Sequence, residues 1–416
     1  MTDPPGESPE LRDVRMRGFT HRSRVDDALA WIDAEARPLS VENVGLERLA
    51  GRILAADIVS EVDVPCFDRA MMDGFAVQAA DTTGASSYNR LPLTIVGEVL
   101  PGKQFPGKLT AGQAVGIMTG AAIPEGADAI LPAEVVEREG GVVYAQDQVP
   151  PGKHIGRRGE DITRATTVLR RGRCLRPQDL GVLSSIGVPV APVVRQPRVR
   201  IVVTGNELLP SGTRPRDNRI ADANSPMLSA LIVRDGGIPL TKGIVADQPS
   251  SILEAMRDDA DVVVVSGGSS VGREDYAPSL LAEHGSLPFH GIAMRPSSPT
   301  GMGLLGQRFV FLLPGNPVSC LCAYDFFAGR AIRRLAGRAE QWSYREMSAP
   351  LARKLTSAVG RVDYARVTLR GGQVCPLAVG GASALSSTTR ADGFVVIPAD
   401  SEGYPAGTLV TVWLYD

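Results

Sequence analysis

The chain is predicted to be a multidomain α/β protein with a doubly wound parallel α/β module and two small β-rich modules. Three observations predict this. Its 416 residues exceed what one typical core supports. From about Arg195 to Glu340, near-continuous apolar runs alternate with amphipathic ones, the pattern of a parallel sheet covered on both faces. Before and after that region, short β-rich runs are punctuated by Gly and Pro.

Taken in order, residues 1–20 are polar and Pro-rich and are expected to be a disordered tail. The spacing of Val25, Leu29, Ile32 and Ala36 predicts a helix, and a second apolar-periodic segment runs from Val44 to Ala55. LPLTIVGEV, AVGIM, DAILPAEVV and GVVYA, between Leu91 and Ala145, predict a small sheet or barrel. Four strand–helix pairs follow. RVRIVVTG precedes SPMLSALIVRDGG, and IPLTKGIVA precedes SSILEAMRDD. DVVVVSGG precedes APSLLAEHG, and RFVFLLPGNP precedes VSCLCAYDFFAGRAIRRLAG. ARVTL, FVVIP and TLVTVWLYD predict a C-terminal β domain.

Composition narrows the function. A net charge of −2 and 5% aromatic residues argue against a globally basic or base-stacking nucleic-acid binder, so no nucleic-acid partner is expected. The five cysteines are scattered with no CxxC pair, which argues against a zinc site and a disulfide framework. The N terminus lacks the apolar stretch of a secretory signal, and no apolar run approaches the ~20 residues of a membrane span. A cytoplasmic protein with no membrane partner is expected.

Ligands of open α/β sheets bind at the carboxyl ends of the strands. Three polar loops are predicted at such ends: TGNEL (Thr204–Leu208), SGGSSVGRED (Ser266–Asp275) and LPGNPVS (Leu313–Ser319). Free backbone N–H groups and a helix dipole would meet at each, which suits an anion such as a phosphorylated small molecule. Candidate binding residues are therefore Gly267, Gly268, Ser269, Ser270, Gly272, Pro314, Gly315, Asn316 and Pro317, the last suited to a first helical turn. Each loop alone is also ordinary turn geometry, and no Walker A or GxGxxG pattern is present. Glu207, Asp247, Glu274 and Asp275 fall at the same edge, with Asp222 in IADANS. Singly these are solvated acids or helix caps; gathered beside an anion site they imply a hard divalent cation such as Mg²⁺.

Seven motifs carry a resemblance. They are DVPCFDRAMMDGFAV (Asp63–Val77), GIMTGAAIPEGADAILP (Gly116–Pro132), GRRGEDI (Gly156–Ile162), TGNEL, SGGSSVGREDY (Ser266–Tyr276), LPGNPVS and GRVDYAR (Gly360–Arg366). In this order they resemble the MoeA family of molybdopterin molybdenumtransferases, whose eukaryotic relatives form the E domain of gephyrin. The resemblance runs from about Val25 to the C terminus. It implies a mixed, elongated, discontinuous N-terminal dimerisation domain (21–66 and 159–196) interrupted by a small β domain (67–158). A MogA-like α/β molybdopterin-binding domain (197–340) and a C-terminal β domain (341–416) follow. It implies a homodimer with a composite active site that inserts molybdate into the dithiolene of adenylylated molybdopterin, releasing AMP with Mg²⁺. An upstream MogA-like adenylyltransferase is the implied partner. By motif match, Asp73 and Thr119 would reach the site from the partner subunit. Asp161, Glu207, Asp247 and Asp275 match the family's acidic positions, and Arg366 and Ser383 those that grip molybdate.

The sequence departs from the family in one stretch. Where a lysine-rich loop of the form KxxxKPGKP is usual, this chain has GIAMRPSSP (Gly291–Pro299). Gly291 and Ser298 replace lysines, Ser297 replaces a glycine, and Arg295 keeps one charge. Asn206 and Ser269 are smaller departures, in place of Asp and Val. Two readings follow: a working molybdenum insertase, or a non-catalytic pterin-binding or scaffold paralogue of the same fold. The presence of Asp73, Asp161, Glu207, Asp247, Asp275, Arg366 and Ser383 together favours the first.

Overall fold

The computed structural model describes Phe19 and residues 22–267, 275–378, 381 and 383–415. The chain forms two compact units, one of residues 1–42, 51–53 and 193–416, the other of residues 43–50 and 54–192.

The first unit is built on a six-stranded sheet. Its spatial order is Ile238–Val245, Arg198–Thr204, Val262–Ser266, Arg308–Leu313, Gly301–Leu305 and Ser286–His290. The first four strands are parallel, as the strand–helix alternation predicts. The last two are antiparallel and absent from the sequence prediction. Their residues explain why: GMGLL has two glycines and little β-branching, so local preference gives no strand signal. Glycine is required there by space, because a Cβ on Gly303 would lie 1.8 Å from the Ser286 carbonyl oxygen.

Alternation along the parallel strands supplies two cores. Val199, Ile201, Val203, Val262, Val264, Phe309 and Phe311 pack with Leu228 and Ile232 of helix Asn224–Arg234 and with the 317–335 helical segment. Val202, Val263, Val265, Val310 and Leu312 pack on the opposite face with Ile252, Met256 and Leu281, from helices Pro249–Met256 and Ala277–His284. Each fully buried aliphatic side chain is worth about 1.5–3 kcal/mol. The helix predicted at Val25 is present as Val25–Glu35, but its apolar face lies in this α/β core. Asp33 holds it there by accepting two hydrogen bonds from Arg330, at 2.7 and 2.6 Å. The apolar-periodic segment 44–55 is not a helix. Only a 3-10 turn, Leu46–Arg48, forms there, and Gly51 adopts a left-handed φ of 76° that ends any helical continuation.

The C-terminal sheet runs Met294–Arg295, Val362–Arg370, Gly393–Ile397, Leu409–Leu414, Arg345–Pro350, with Gln373–Ala378 also paired to Val362–Arg370. It joins the α/β domain through a buried polar knot. Helices Pro317–Ala323 and Gly329–Leu335 are linked by a π-helical turn, Tyr324–Ala328, that turns Asp325 inward. The Asp325 carboxylate accepts from Arg234 Nη2 at 3.0 Å and Tyr344 Oη at 3.0 Å, and from Tyr364 Oη at 3.4 Å. Complete burial pushes its carboxyl above the ordinary value, against the pull of Arg234.

The second unit contains a sheet in the order Ala129–Pro132, Gly74–Val77, Gln113–Ile117, Leu91–Val99, Val142–Ala145, Val136–Glu139. The four β-rich runs predicted from the sequence all lie in it.

Removing Arg234 leaves the Asp325 charge buried without its cation, a loss of about 3–5 kcal/mol. Because burial raises the folded-state value above 3.8, Asp325 favours folding at low pH and loses that contribution as pH rises. Arg234→Met raises the value further. Thermal unfolding should therefore show a deficit for this variant that is large at pH 7.5 and narrows towards pH 4.5. An equal deficit at both would refute the assignment.

Candidate functional site

After strand Arg198–Thr204 the chain crosses to one side of the sheet to form Ile238–Val245. It then returns to the other side as Val262–Ser266. The strand order thus reverses between Thr204 and Ser266, and crevices at such switch points are where open α/β sheets hold ligands. Gly267 is placed there by necessity. Its φ is 101°, and a Cβ would lie 2.3 Å from the Thr204 carbonyl oxygen. A Cβ on Gly315 would be 3.6 Å from the Gly267 Cα, so the PGNP turn closes over the same point. Pro314 is buried, Gly315 and Asn316 are exposed, and Pro317 begins its helix as expected. Gly268, Ser269, Ser270 and Gly272 lie outside the described residues.

The acids divide. Asp247 accepts hydrogen bonds from the Thr204 hydroxyl and from the Asn206 N–H at 3.0 Å, tying two strand ends together. Glu207 is exposed and folds back over Gly205, where a Cβ would meet its Oε2 at 2.7 Å. Asp275 is half-buried just before helix Ala277–His284. Asp222 is a cap: its Oδ1 accepts from the N–H groups of Asn224 and Ser225 at 2.9 and 3.0 Å. Among the described residues, no three His, Cys, Asp or Glu side chains gather closely enough to enclose a metal. The acids at this edge therefore form no closed metal cage; an Mg²⁺ site needs only one or two carboxylates when phosphate and water complete its shell.

Asn224 was not singled out from the sequence, yet it joins the loops. Buried at 6% exposure, its Nδ2 donates to Ser266 Oγ and to the Gly315 carbonyl, both at 2.8 Å. The available signal was a polar residue opening the apolar-periodic run of a helix, where burial of an amide demands specific partners.

The C-terminal domain adds Arg366, which has no exposed surface. Burial lowers its affinity for the proton below the ordinary arginine value. A Cβ on Gly381 would lie 4.0 Å from Arg366 Nη2, which brings the segment of exposed Ser383 towards it. Arg295 forms an ion pair with fully buried Asp363 while 34% of its own side chain stays exposed. The pairing follows from register: Met294–Arg295 runs parallel to Val362–Asp363. Ser298 Oγ is enclosed without a hydrogen-bond partner.

In the second unit the structure brings Asp73 and Thr119 together. Asp73 Oδ1 accepts from both the N–H and the hydroxyl of Thr119, each at 2.7 Å. These bonds, the hydroxyl first, hold the Asp73 carboxyl below its ordinary value. Phe67, Met71 and Met118, within a few residues of the pair, are exposed apolar side chains. Asp161 is exposed, with its N–H bonded to the Val64 carbonyl at 3.1 Å.

Comparison with known proteins agrees along the chain. Residues 23–187 match the MoeA N-terminal region (domain I and II), 200–334 a probable molybdopterin binding domain, and 348–415 the MoeA C-terminal region (domain IV). A molybdopterin molybdenumtransferase 2 of Mycobacterium tuberculosis is 34% identical over 96% of this chain and 99% of its own length. A molybdopterin molybdenumtransferase of Staphylococcus aureus is 30% identical over 94% and 95%. The crystal structure of a molybdopterin biosynthesis MoeA protein from Pyrococcus horikoshii superposes with a TM-score of 0.81 at 34% identity, covering 95% of this chain and 99% of that one. The α/β fold with its MogA-like domain and β-rich flanks is that of these proteins, and the chain belongs to the MoeA family.

Proposed function

We propose that the protein is a molybdenumtransferase of molybdenum cofactor biosynthesis, inserting molybdate into the dithiolene of adenylylated molybdopterin with release of AMP. The observation that carries this reading is the switch-point crevice between Thr204 and Gly267. It is closed by the PGNP turn and edged by Glu207, Asp247 and Asp275, in a chain that matches molybdenumtransferases nearly end to end.

The backbone at Gly267 and Gly315 lets a pyrophosphate approach closely, and Asn224 fixes the spacing between those two loops. Of Glu207, Asp247 and Asp275, which among the described residues do not gather into a three-carboxylate cluster, one or two would hold Mg²⁺, which would supply charge neutralisation beside the phosphates. The same carboxylates orient water towards the adenylyl phosphorus. Arg366 and Ser383 grip the tetrahedral oxyanion: guanidinium geometry suits such an ion, and the hydroxyl adds a donor.

We further propose a homodimer in which Asp73, Thr119 and Asp161 of one subunit complete the α/β edge of the other. The exposed Phe67, Met71 and Met118 beside Asp73 support it, because clustered apolar surface at a functional rim marks an interface. Partnership with a MogA-like adenylyltransferase that delivers the substrate, and a cytoplasmic location, belong to the same reading. No helix among the described residues is long and apolar enough to cross a membrane.

Purified protein supplied with adenylylated molybdopterin, Mg²⁺ and molybdate should release AMP. No release above an enzyme-free control would favour the non-catalytic pterin-binding reading. Asp275→Ala should abolish release while leaving the dimer intact by light scattering; retained turnover would remove this carboxylate from the metal set. Thr119→Val removes the hydroxyl that depresses Asp73, so the Asp73 value rises towards normal. An ionised Asp73 is then lost at higher pH on acidification, and the acid limb of the rate profile should move up. An unshifted limb would mean Asp73 does not act as a carboxylate. Asn224→Ala should raise KM about tenfold, since one to two hydrogen bonds worth about 1 kcal/mol each hold the loops.

A further inference from the structure

Outside the acids and loops already assigned, the N-terminal arm makes an unexpected contact. Phe19 sits on the segment Gly291–Pro299, its ring edge-on to His290 with centroids 5.0 Å apart. Gly291 takes a φ of 91°, and a Cβ there would lie 2.5 Å from Phe19 Cδ1. Position 291 can therefore be glycine alone while the ring is in place. Ser23 then pairs with the segment: its N–H donates to the Gly291 carbonyl at 2.9 Å, and its carbonyl accepts from Ala293 N–H at 2.8 Å.

The segment is in turn connected to the PGNP turn. Ile292 N–H donates to the Ser298 carbonyl at 2.8 Å and Gly291 N–H to the Thr300 carbonyl at 3.0 Å, closing it into a compact loop. Within that loop Ser297, 3% exposed and at a φ of 86°, donates through Oγ to the Ser319 carbonyl at 2.6 Å. Ser319 lies two residues after Pro317, in the first turn of the helix that follows Gly315 and Asn316. A continuous set of packed and hydrogen-bonded groups thus runs from Phe19 to the turn that closes over Gly267.

We propose that Phe19 is a positioning residue for the anion site. Seated on Gly291, it holds the 291–300 loop so that Ser297 fixes the helix start carrying the PGNP turn. This role rests on the reading of that turn as part of the substrate site. It also gives the glycine at 291 a physical reason: the position is shaped to receive the chain's own arm, and a side chain of any length there would evict it.

The test uses the full-length protein with Phe19→Ala and Phe19→Leu. Hydrogen exchange of peptides covering 291–300 and 316–323 should accelerate by about tenfold in Phe19→Ala, the response of a locally loosened segment. KM for adenylylated molybdopterin should rise about fivefold with kcat within about twofold, because weakened placement costs binding rather than the chemical step. Phe19→Leu, which keeps an apolar filler, should restore most of both. Unchanged exchange in Phe19→Ala would overturn the proposal. So would faster exchange with an unchanged KM, which would leave the arm a fastening without a role in binding. If the wild-type protein releases no AMP, the proposed function is what fails. Exchange at 316–323 then decides by itself whether Phe19 braces the turn.

Discussion

Asn224 has both of its amide hydrogens engaged inside the protein, one on Ser266 Oγ and one on the Gly315 carbonyl, and the switch-point crevice depends on that arrangement. The two acceptors belong to different strand ends, and the helix that carries Asn224 is capped by Asp222 two residues earlier. Three chain segments far apart in sequence are thereby brought to one registered position. Between them Gly267 can approach the Thr204 carbonyl because no Cβ intervenes. Take away the amide and buried Ser266 loses a partner while the exposed Gly315 turn loses its tie to the helix; the loss is most costly at the buried end. The crevice is therefore held by polar contacts at its base and by backbone at its walls, with Asp247 tying Thr204 to Asn206.

Much of this was legible in the sequence where periodicity and chemistry coincide. Three of the four parallel strands are apolar on both faces because both faces are covered, and the runs DVVVV and RFVFLL state it directly; the edge strand Ile238–Val245 has no fully buried residue. The glycines of TGNEL, SGGSSVG and LPGNP pointed to close backbone approach, and Gly267 supplies it. Asp73 and Thr119 were joined only through the family resemblance. Nothing in their separation of 46 residues announces a carboxylate accepting two bonds from one threonine. The antiparallel pair Ser286–His290 and Gly301–Leu305 was hidden because packing space, not β propensity, selects its residues. The segment 44–55 misled in the opposite sense: its apolar spacing serves a turn and short strand pairing, which a period cannot distinguish from a helix face.

Charge was the least legible quantity. Arg295 reads in sequence as the surviving cation of a basic loop, yet strand register sets it beside Asp363, which also accepts from Ser357 at 2.8 Å and Arg361 at 3.2 Å. A carboxylate with no exposed surface requires such partners, because an uncompensated charge there costs several kcal/mol. The arginine is thus bound to the C-terminal sheet by the demand of Asp363, and the loop becomes a fastening between domains.

On the proposed function, positive charge for the oxyanion comes from Arg366, and for the phosphates from whatever cation the edge carboxylates admit. Arg366 has already lost its water, as its lowered proton affinity indicates. An oxyanion that reaches it meets a cation with no further hydration to shed, so each charge-assisted bond there is worth more than one to an exposed lysine. The carboxylates act in the opposite direction. Unaccompanied, they repel phosphate and molybdate alike, and they become attractive only with a divalent cation between. On the proposed function, the acid edge would accept phosphates only with a divalent cation between them, whereas the oxyanion is gripped where the protein itself carries buried positive charge.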